Sequence, residues 1–459
     1  MAMLSRRAAA AATATLSRTL SLVNPAKHTT ARFSTTSPMN HQPPPWLMLP
    51  PTFDAANNMV HNFYVLGENQ VMSVVKEEEE EEEEEDEDED ELFCWQDRNF
   101  KAMGSSPGWL VFLDTRTSHL FIADPIIAFH MKLPPIHTQV TSIALNSHPS
   151  LFNQGRAFAT FGPDNRLAFC TPHGRHECKW AALGHGTGYA SVVYSKEREL
   201  FFCCTDSRLE AWDLRDPLSP TMLPMPISSF DKRNYPPGTE YNFLVVAEPS
   251  GDLFHVRRFV TVDSSGPLGY GGPHLGFYHG SPYRTLGFDI HRYDPDTGLF
   301  VYMDCSLDGL AFFVGCNNGL AIHTDQYPEL KPDSIYYTAP PAWIHWSYGG
   351  HDVGIFDNRD KSFSPCFYPR DVQSKKMVSG PMWFRSKNIS RRTFLVHNHD
   401  GTLTITPKLP KKILAEASNT LSARRIRPAL SARRIRPVRI RPALSARRIR
   451  PVWQLTVQA

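Results

Sequence analysis

The chain has 459 residues, 41% of them apolar and 11% aromatic, which supports a substantial core and excludes a chain that is disordered throughout. Its net charge of +1 conceals a division: residues 77–91 are all Glu or Asp, while residues 1–39 and 421–452 carry Lys or Arg and no acid. The eight cysteines include no C-x-x-C pair, and no apolar run approaches ~18 residues, so a disulfide framework and a transmembrane helix are both excluded as expectations.

Residues 1–39 read as an organellar presequence. Arg6, Arg7, Arg18, Lys27 and Arg32 stand among Ala, Ser, Thr and Leu, and the first acid is Asp54. Leu4, Ala8, Ala11, Ala12 and Thr15 share one face of a basic amphipathic helix of the kind a mitochondrial import receptor binds. The expected location is the mitochondrion, with a plastid or dual targeting as the alternative.

Globular texture begins near residue 44. Trp46–Leu49 and Phe63–Leu66 read as strands. The acidic run at 77–91 repels itself and cannot fold alone, so it is expected as a solvated low-complexity loop between strands, with a basic partner or the Arg-rich tail as the functional alternative.

Gly104 to Ile136 is the stretch that sets the pattern. Trp109–Leu113 and Leu120–Ala123 are apolar runs, Phe129–Leu133 alternates, and Pro107-Gly108, Asp114–Ser118, Asp124-Pro125 and Pro134-Pro135 interrupt them. Short apolar runs punctuated this way predict an antiparallel meander. A turn followed by an apolar strand returns at Leu110, Leu167, Leu209, Leu253, Leu310 and Val353, with steps close to the ~40–50 residues of a propeller blade. The fold class is therefore all-β: a β-propeller over 44–410, six blades favoured and seven the alternative, with disordered N- and C-terminal extensions. Asp400–Ile405 begins a seventh blade or supplies the strand that closes the ring.

Residues 411–459 contain Leu-Ser-Ala-Arg-Arg-Ile-Arg-Pro three times, at 421–428, 430–437 and 444–451. Proline at this spacing prevents a continuous helix, and the segment has no core of its own. An Arg-rich tail binds RNA or anionic surfaces by counterion release, but near-identical repeats read as an incidental duplication, so nucleic acid is not expected as the partner.

Local chemistry is weak. Cys170, His173, His176 and Cys178 fall within nine residues but match no standard zinc spacing, and a polar hairpin loop is the plainer reading. Asp294-Pro-Asp296-Thr-Gly298 begins like a calcium loop but has Leu299 and Cys305 at the sixth and twelfth positions, so a turn is expected. Gly184–Gly188 has no helix pattern after it to bind phosphate. There is no G-x-S-x-G and no H-E-x-x-H. No catalytic residue, metal or cofactor is expected. The best binding residues are Trp343, His345, Trp346 and Tyr348, large aromatics with a His in a loop after Pro340-Pro341; packing between blades is the competing role. Trp46, Trp109, Trp180, Trp212 and Trp383 sit on strand-like runs and read as core.

The order of motifs resembles the plant KIB-type β-propeller family, a domain of unknown function often found behind an F-box. Residues 45–50 (PWLMLP), 63–66 (FYVL), 104–110 (GSSPGWL), 132–136 (KLPPI), 167–170 (LAFC), 327–331 (YPELK), 335–337 (IYY) and 352–357 (DVGIFD) carry the likeness, which spans roughly 44–400. It implies a propeller. Relatives that act as ubiquitin-ligase substrate receptors carry an F-box where this sequence has its presequence, so the likeness is to an organelle-targeted branch lacking the F-box. The expected function is a monomeric, non-enzymatic propeller that binds an unidentified protein partner in an organelle. The alternatives are a ligase substrate receptor and an enzyme whose site gathers in the central channel.

Overall fold

The strands owe their composition to being covered on both faces. In Trp109–Asp114, Leu110 and Phe112 enter one apolar cluster while Trp109 and Val111 enter the next. A strand sandwiched this way has no polar face, which is why it reads as a continuous apolar run. The same holds for Leu310–Val314, where Leu310, Phe312 and Val314 face one cluster and Ala311 and Phe313 the other.

The computed structural model describes residues 43–74, 97–146, 155–171, 179–225, 239–262, 283–338, 352–366, 379–385, 394–397 and 403–406, with gaps at 54–58, 68, 98, 107, 125–128 and 206–207. All described residues belong to one compact unit, which extends to Thr406. The presequence region, the acidic run, the loop carrying Trp343 and the Arg-rich tail lie outside the described residues.

The first strands are β1 (Trp46–Met48), β2 (Thr52–Phe53), β3 (Met59–Val65) and β4 (Gln70–Val74). Three meanders follow. Sheet II holds β5 (Phe100–Ser106), β6 (Trp109–Asp114), β7 (Leu120–Asp124) and β8 (Phe129–Lys132). Sheet III holds β9 (Val140–Leu145), β10 (Ala157–Phe161), β11 (Arg166–Cys170) and β12 (Ala181–Leu183). Sheet IV holds β13 (Ser191–Ser195), β14 (Leu200–Cys204), β15 (Leu209–Asp213) and β16 (Thr221–Met225). Each is antiparallel in chain order, and the first strands of sheets II, III and IV lie side by side.

Sheet V begins as another meander: β17 (Thr239–Glu248), β18 (Leu253–Val262), β19 (Tyr283–Asp294) and β20 (Leu299–Tyr302). Then the pattern changes. The hairpin of β21 (Leu310–Val314) and β22 (Gly319–His323) inserts between β17 and β23 (Ser334–Tyr337). β22 pairs in parallel with β17, and β21 in parallel with β23. β24 (Gly354–Asp357) and β25 (Ser362–Pro365) continue outward from β23, making one nine-stranded sheet.

The ring closes where β26 (Met382–Phe384) pairs antiparallel with β1, in the register Trp46–Phe384, Leu47–Trp383 and Met48–Met382. The closing strand is thus β26. Of the segment 400–405, residues 403–405 belong to β28 (Leu403–Thr406), which pairs with β27 (Phe394–His397) and lies near β4, and residues 400–402 lie outside the described residues. Among the described residues, five apolar clusters join successive sheets of this closed series, the last packing β21–β24 against β1, β3 and β26, and a sixth lies within sheet V between β17–β19 and β21–β24. The fold is a β-propeller, and the only helical element described is the 3-10 turn Thr324–Gln326.

The expected core tryptophans are placed accordingly. Trp46, Trp109, Trp212 and Trp383 are buried, and half-buried Trp180 donates its indole N–H to the Pro134 carbonyl at 2.9 Å. The six marker residues do not occupy equivalent positions. Leu110 and Leu253 begin second strands or follow their starts, Leu167 and Leu209 lie in third strands, Leu310 opens β21, and Val353 precedes β24. The spacing of about 40–50 residues belongs instead to the first strands, which begin at Phe100, Val140, Ser191 and Thr239.

Several strands end on an aspartate that builds its own turn. Asp114 accepts from the Arg116 backbone N–H at 2.9 Å and the Thr117 hydroxyl at 2.9 Å. Asp294 repeats this with Asp296 N–H at 3.0 Å and Thr297 at 2.8 Å, so the calcium-like segment is a hairpin turn between β19 and β20. Asp213 and Asp357 accept from the N–H and guanidinium of Arg215 and Arg359.

Candidate functional site

The axis of the propeller is occupied by the chain itself. The turn of the β21–β22 hairpin, Gly315–Asn318, reaches the first strands of three sheets. Asn318 N–H donates to the Ser105 carbonyl on β5 at 2.7 Å. Its side-chain amide donates to the Ile143 carbonyl on β9 at 2.9 Å and the Val192 carbonyl on β13 at 3.1 Å. Asn317 turns its own amide N–H groups back to Phe313 O at 3.0 Å and Asn318 O at 2.8 Å.

Two glycines make this approach feasible. A Cβ at Gly319 would lie 2.1 Å from the Leu244 carbonyl oxygen, and one at Gly104 would lie 2.7 Å from the Cys316 carbonyl oxygen. Beside them, burial pushes the Cys316 thiol up to about 12, so it stays protonated and unreactive.

At the edge of this plug, Arg385 gathers three elements. It donates to Glu248 at 2.7 Å, to the Tyr327 hydroxyl at 2.9 Å and to the Pro43 carbonyl at 3.1 Å. It ties the end of β26 to the end of β17 and to the chain entering β1.

A second charged node is fully enclosed. Arg258 on β18 has no solvent exposure. It donates to Asp352 Oδ2 at 2.9 Å, to Thr285 Oγ1 at 2.9 Å and to the Thr338 carbonyl. Thr285 also donates to Asp352 Oδ2, at 2.6 Å, and the guanidinium lies 4.9 Å from the Tyr337 ring centre. Burial, and then the Asp352 charge, push the Tyr337 hydroxyl up, so it remains neutral. Thr338 and Asp352 are the last and first described residues on either side of the β23–β24 connection. That connection carries Trp343, His345, Trp346 and Tyr348, which lie outside the described residues. Arg258 therefore clamps both ends of the loop that the sequence singles out.

Sheet V carries a polar face as well. His255 and His291 are register partners, as are Arg257 and Asp289, and all four are buried. Glu240 holds Arg257 in a two-pronged contact, 2.8 Å for each bond. Burial, then His291 and Arg257, lower His255 to about 3, so it is neutral at ordinary pH. Between sheets III and IV, Glu210 accepts from Tyr189 at 2.9 Å and Trp212 at 3.1 Å. Burial, and then the Glu210 hydrogen bond, push the Tyr189 hydroxyl up. Among the described residues no group of three or more His, Cys, Asp or Glu side chains is placed to hold a metal. Of the cysteine–histidine cluster, Cys170 ends β11 in the apolar cluster between sheets II and III, and His173, His176 and Cys178 lie outside the described residues.

The clamp and the plug were not legible in sequence. Asn317-Asn318-Gly319 between Phe312–Val314 and Leu320–Ile322 is a hairpin signal, but nothing local says that its turn enters the axis.

Two solved structures are distantly similar to this chain. The β-propeller domain of Cps50 (Swd1) from Myceliophteria thermophila is 9% identical, covering 73% of this chain and 90% of that one with a TM-score of 0.32. A protein from Lactobacillus plantarum is also 9% identical, covering 74% and 99% with a TM-score of 0.34. No curated protein matches. The family model described as the KIB1-4 beta-propeller matches residues 88–357, and the GSSPGWL, KLPPI, LAFC, YPELK, IYY and DVGIFD motifs all fall inside that span. The chain belongs to the KIB1-4 β-propeller family.

Proposed function

We propose that this propeller is a protein-interaction module of an organelle, and that it takes its partner through the aromatic loop between β23 and β24. The supporting observation is the Arg258 clamp. Enclosing a guanidinium and a carboxylate is costly in desolvation, and buried charge of this kind is best attested as a device for fixing position. Here it fixes the two ends of a segment holding Trp343, Trp346 and Tyr348, residue types that dominate binding hot spots. His345 stands among them. The reading takes the ring as six-bladed, counting the two parts of sheet V on either side of its internal cluster as two blades, and its location as the mitochondrial matrix, in keeping with the acid-free basic segment 1–39.

The test is affinity isolation of the full chain from organelle extracts, beside a Trp343→Ala/Trp346→Ala variant with the same unfolding profile. A partner present with the first and at least tenfold depleted with the second is expected. Equal recovery from both would remove the loop from the reading. Localisation is read separately, from C-terminal fluorescent fusions with and without residues 1–39. Organellar signal that depends on those residues is expected, and cytosolic or nuclear signal from both would return the ligase-receptor alternative to first place.

A further inference from the structure

Two connections leave sheet V from one place. β17 pairs antiparallel with β18 and in parallel with β22, β22 pairs antiparallel with β21, and β21 in parallel with β23. β18 and β23 therefore run the same way and finish at the same end of the sheet. From β18 the chain crosses through 263–282 to β19, and from β23 through 339–351 to β24. Both crossings lie outside the described residues, but their bases are described and are joined. Val262 and Tyr283, which bracket the first crossing, are register partners. Arg258, just before Val262, and Thr285, just after Tyr283, both donate to Asp352 Oδ2, at 2.9 and 2.6 Å. Asp352 and Thr338 bracket the second crossing, and Arg258 also holds the Thr338 carbonyl. Beneath this node the Phe288 ring of β19 lies 5.4 Å from the Tyr337 ring of β23.

We infer that the two connections act as one uncharged aromatic surface that takes an extended, proline-rich segment of the partner, a reading that rests on the function proposed above and adds a second loop to it. Residues 263–282 and 339–351 carry Asp263 and no other Lys, Arg, Asp or Glu, in a chain that is 21% charged. Such a surface has no cation to hold a phosphate or a carboxylate, so nucleic acid and acidic peptides lose their main attraction. What it has is rings: Tyr270, Phe277 and Tyr278 in the first connection, Trp343, Trp346 and Tyr348 in the second. Flat aromatic faces receive prolyl rings, and indole N–H and phenol O–H groups donate to the backbone carbonyls that a polyproline helix leaves unbonded. That helix is preformed, so docking it costs little further ordering. The Arg258 node contributes by holding the bases of both connections together, within reach of one ligand.

The test is fluorescence anisotropy of the full chain with a fluorescein-labelled proline decamer, beside a Gly-Ser peptide of equal length. Two variants accompany the parent, Tyr270→Ala/Phe277→Ala/Tyr278→Ala and Trp343→Ala/Trp346→Ala, each first shown to share its urea midpoint. The result expected is saturable binding of the proline peptide alone, weakened about tenfold or more by each variant. Failure of the proline peptide to bind the parent overturns the inference and leaves the single-loop reading to its own test. Loss with the Trp variant alone also overturns it, again leaving the single-loop reading standing. Loss with the Tyr270 variant alone overturns both. A proline peptide carrying a benzophenone, irradiated with the unmutated chain, gives a reading that needs no variant. Adducts in both 263–282 and 339–351 are expected, and adducts confined to one connection or lying elsewhere overturn the inference.

Discussion

Arg258 and Asp352 meet at 2.9 Å inside the protein, the guanidinium entirely shielded from solvent and the carboxylate shared with the Thr285 hydroxyl. Removing one partner leaves the other buried and uncompensated, which costs about 3–5 kcal/mol. Arg258→Met is therefore expected to lower the urea midpoint strongly. Arg258→Met/Asp352→Leu, with both charges gone, should regain much of that stability. A double variant as unstable as the sum of the two singles would show that the pair is not coupled. Partner recovery should fall in the double variant even where stability returns, because Thr338 and Asp352 are no longer held together.

The glycines beside the plug rank by the space their Cβ would meet. Gly319→Ala places a methyl group against the Leu244 carbonyl, and Gly104→Ala places one against the Cys316 carbonyl, with backbone on both sides of each contact. Losses of about 3 kcal/mol or more are expected at Gly319 and somewhat less at Gly104. Gly380→Ala meets nothing within 4 Å and serves as the control, with no loss and a gain of up to about 1 kcal/mol. Thermal unfolding of the three variants checks the order.

Two of the strand-ending aspartates make acid stability predictable in sign. Hydrogen bonds from the Arg215 and Arg359 side chains, followed by those from their backbone N–H groups, hold Asp213 and Asp357 below the ordinary carboxylate value of 3.8, against opposing desolvation. The folded state thus favours the ionised form. Its benefit is complete above 3.8 and is lost as pH falls through the lower folded values. Asp213→Asn/Asp357→Asn should be less stable than the parent at neutral pH, and the gap should shrink between about pH 4 and pH 2. A gap that stayed constant or widened on acidification would contradict the assignment.

The ring closure offers a covalent test of topology. Met48 and Met382 face each other across the β1–β26 pair and are both fully buried. Met48→Cys/Met382→Cys is expected to form a disulfide on mild oxidation and to migrate faster on a non-reducing gel. Linking strands so distant in sequence should stabilise the oxidised form by about 2–4 kcal/mol. Failure to crosslink, with the fold intact, would mean that another strand completes the ring.

Sequence legibility followed distance along the chain. Trp109–Leu113 and Leu120–Ala123 are strands β6 and β7 because an apolar run between turn residues has few other outcomes. The strand before them, Phe100–Ser106, reads poorly: Gly104 and two serines carry no strand pattern, whereas in the fold Gly104 admits the Cys316 carbonyl of the β21–β22 turn. The marker spacing mixed second and third strands, since a turn and a Leu can open any strand of a meander. Arg258 was unreadable for a different reason. Its partners Thr285, Thr338 and Asp352 lie on separate elements, and no local pattern announces a charge that the fold will enclose.

Closure by β1 and β26 also sets an order of events. The first strand of the propeller pairs with a strand made near the end of the described chain, so its edge stays open while every sheet between them is synthesised. Contacts of such long sequence separation form late and slowly, because the closing entropy comes due before their reward. An exposed, apolar β1 carrying Trp46, Leu47 and Met48 is the natural client surface for a chaperone until β26 arrives.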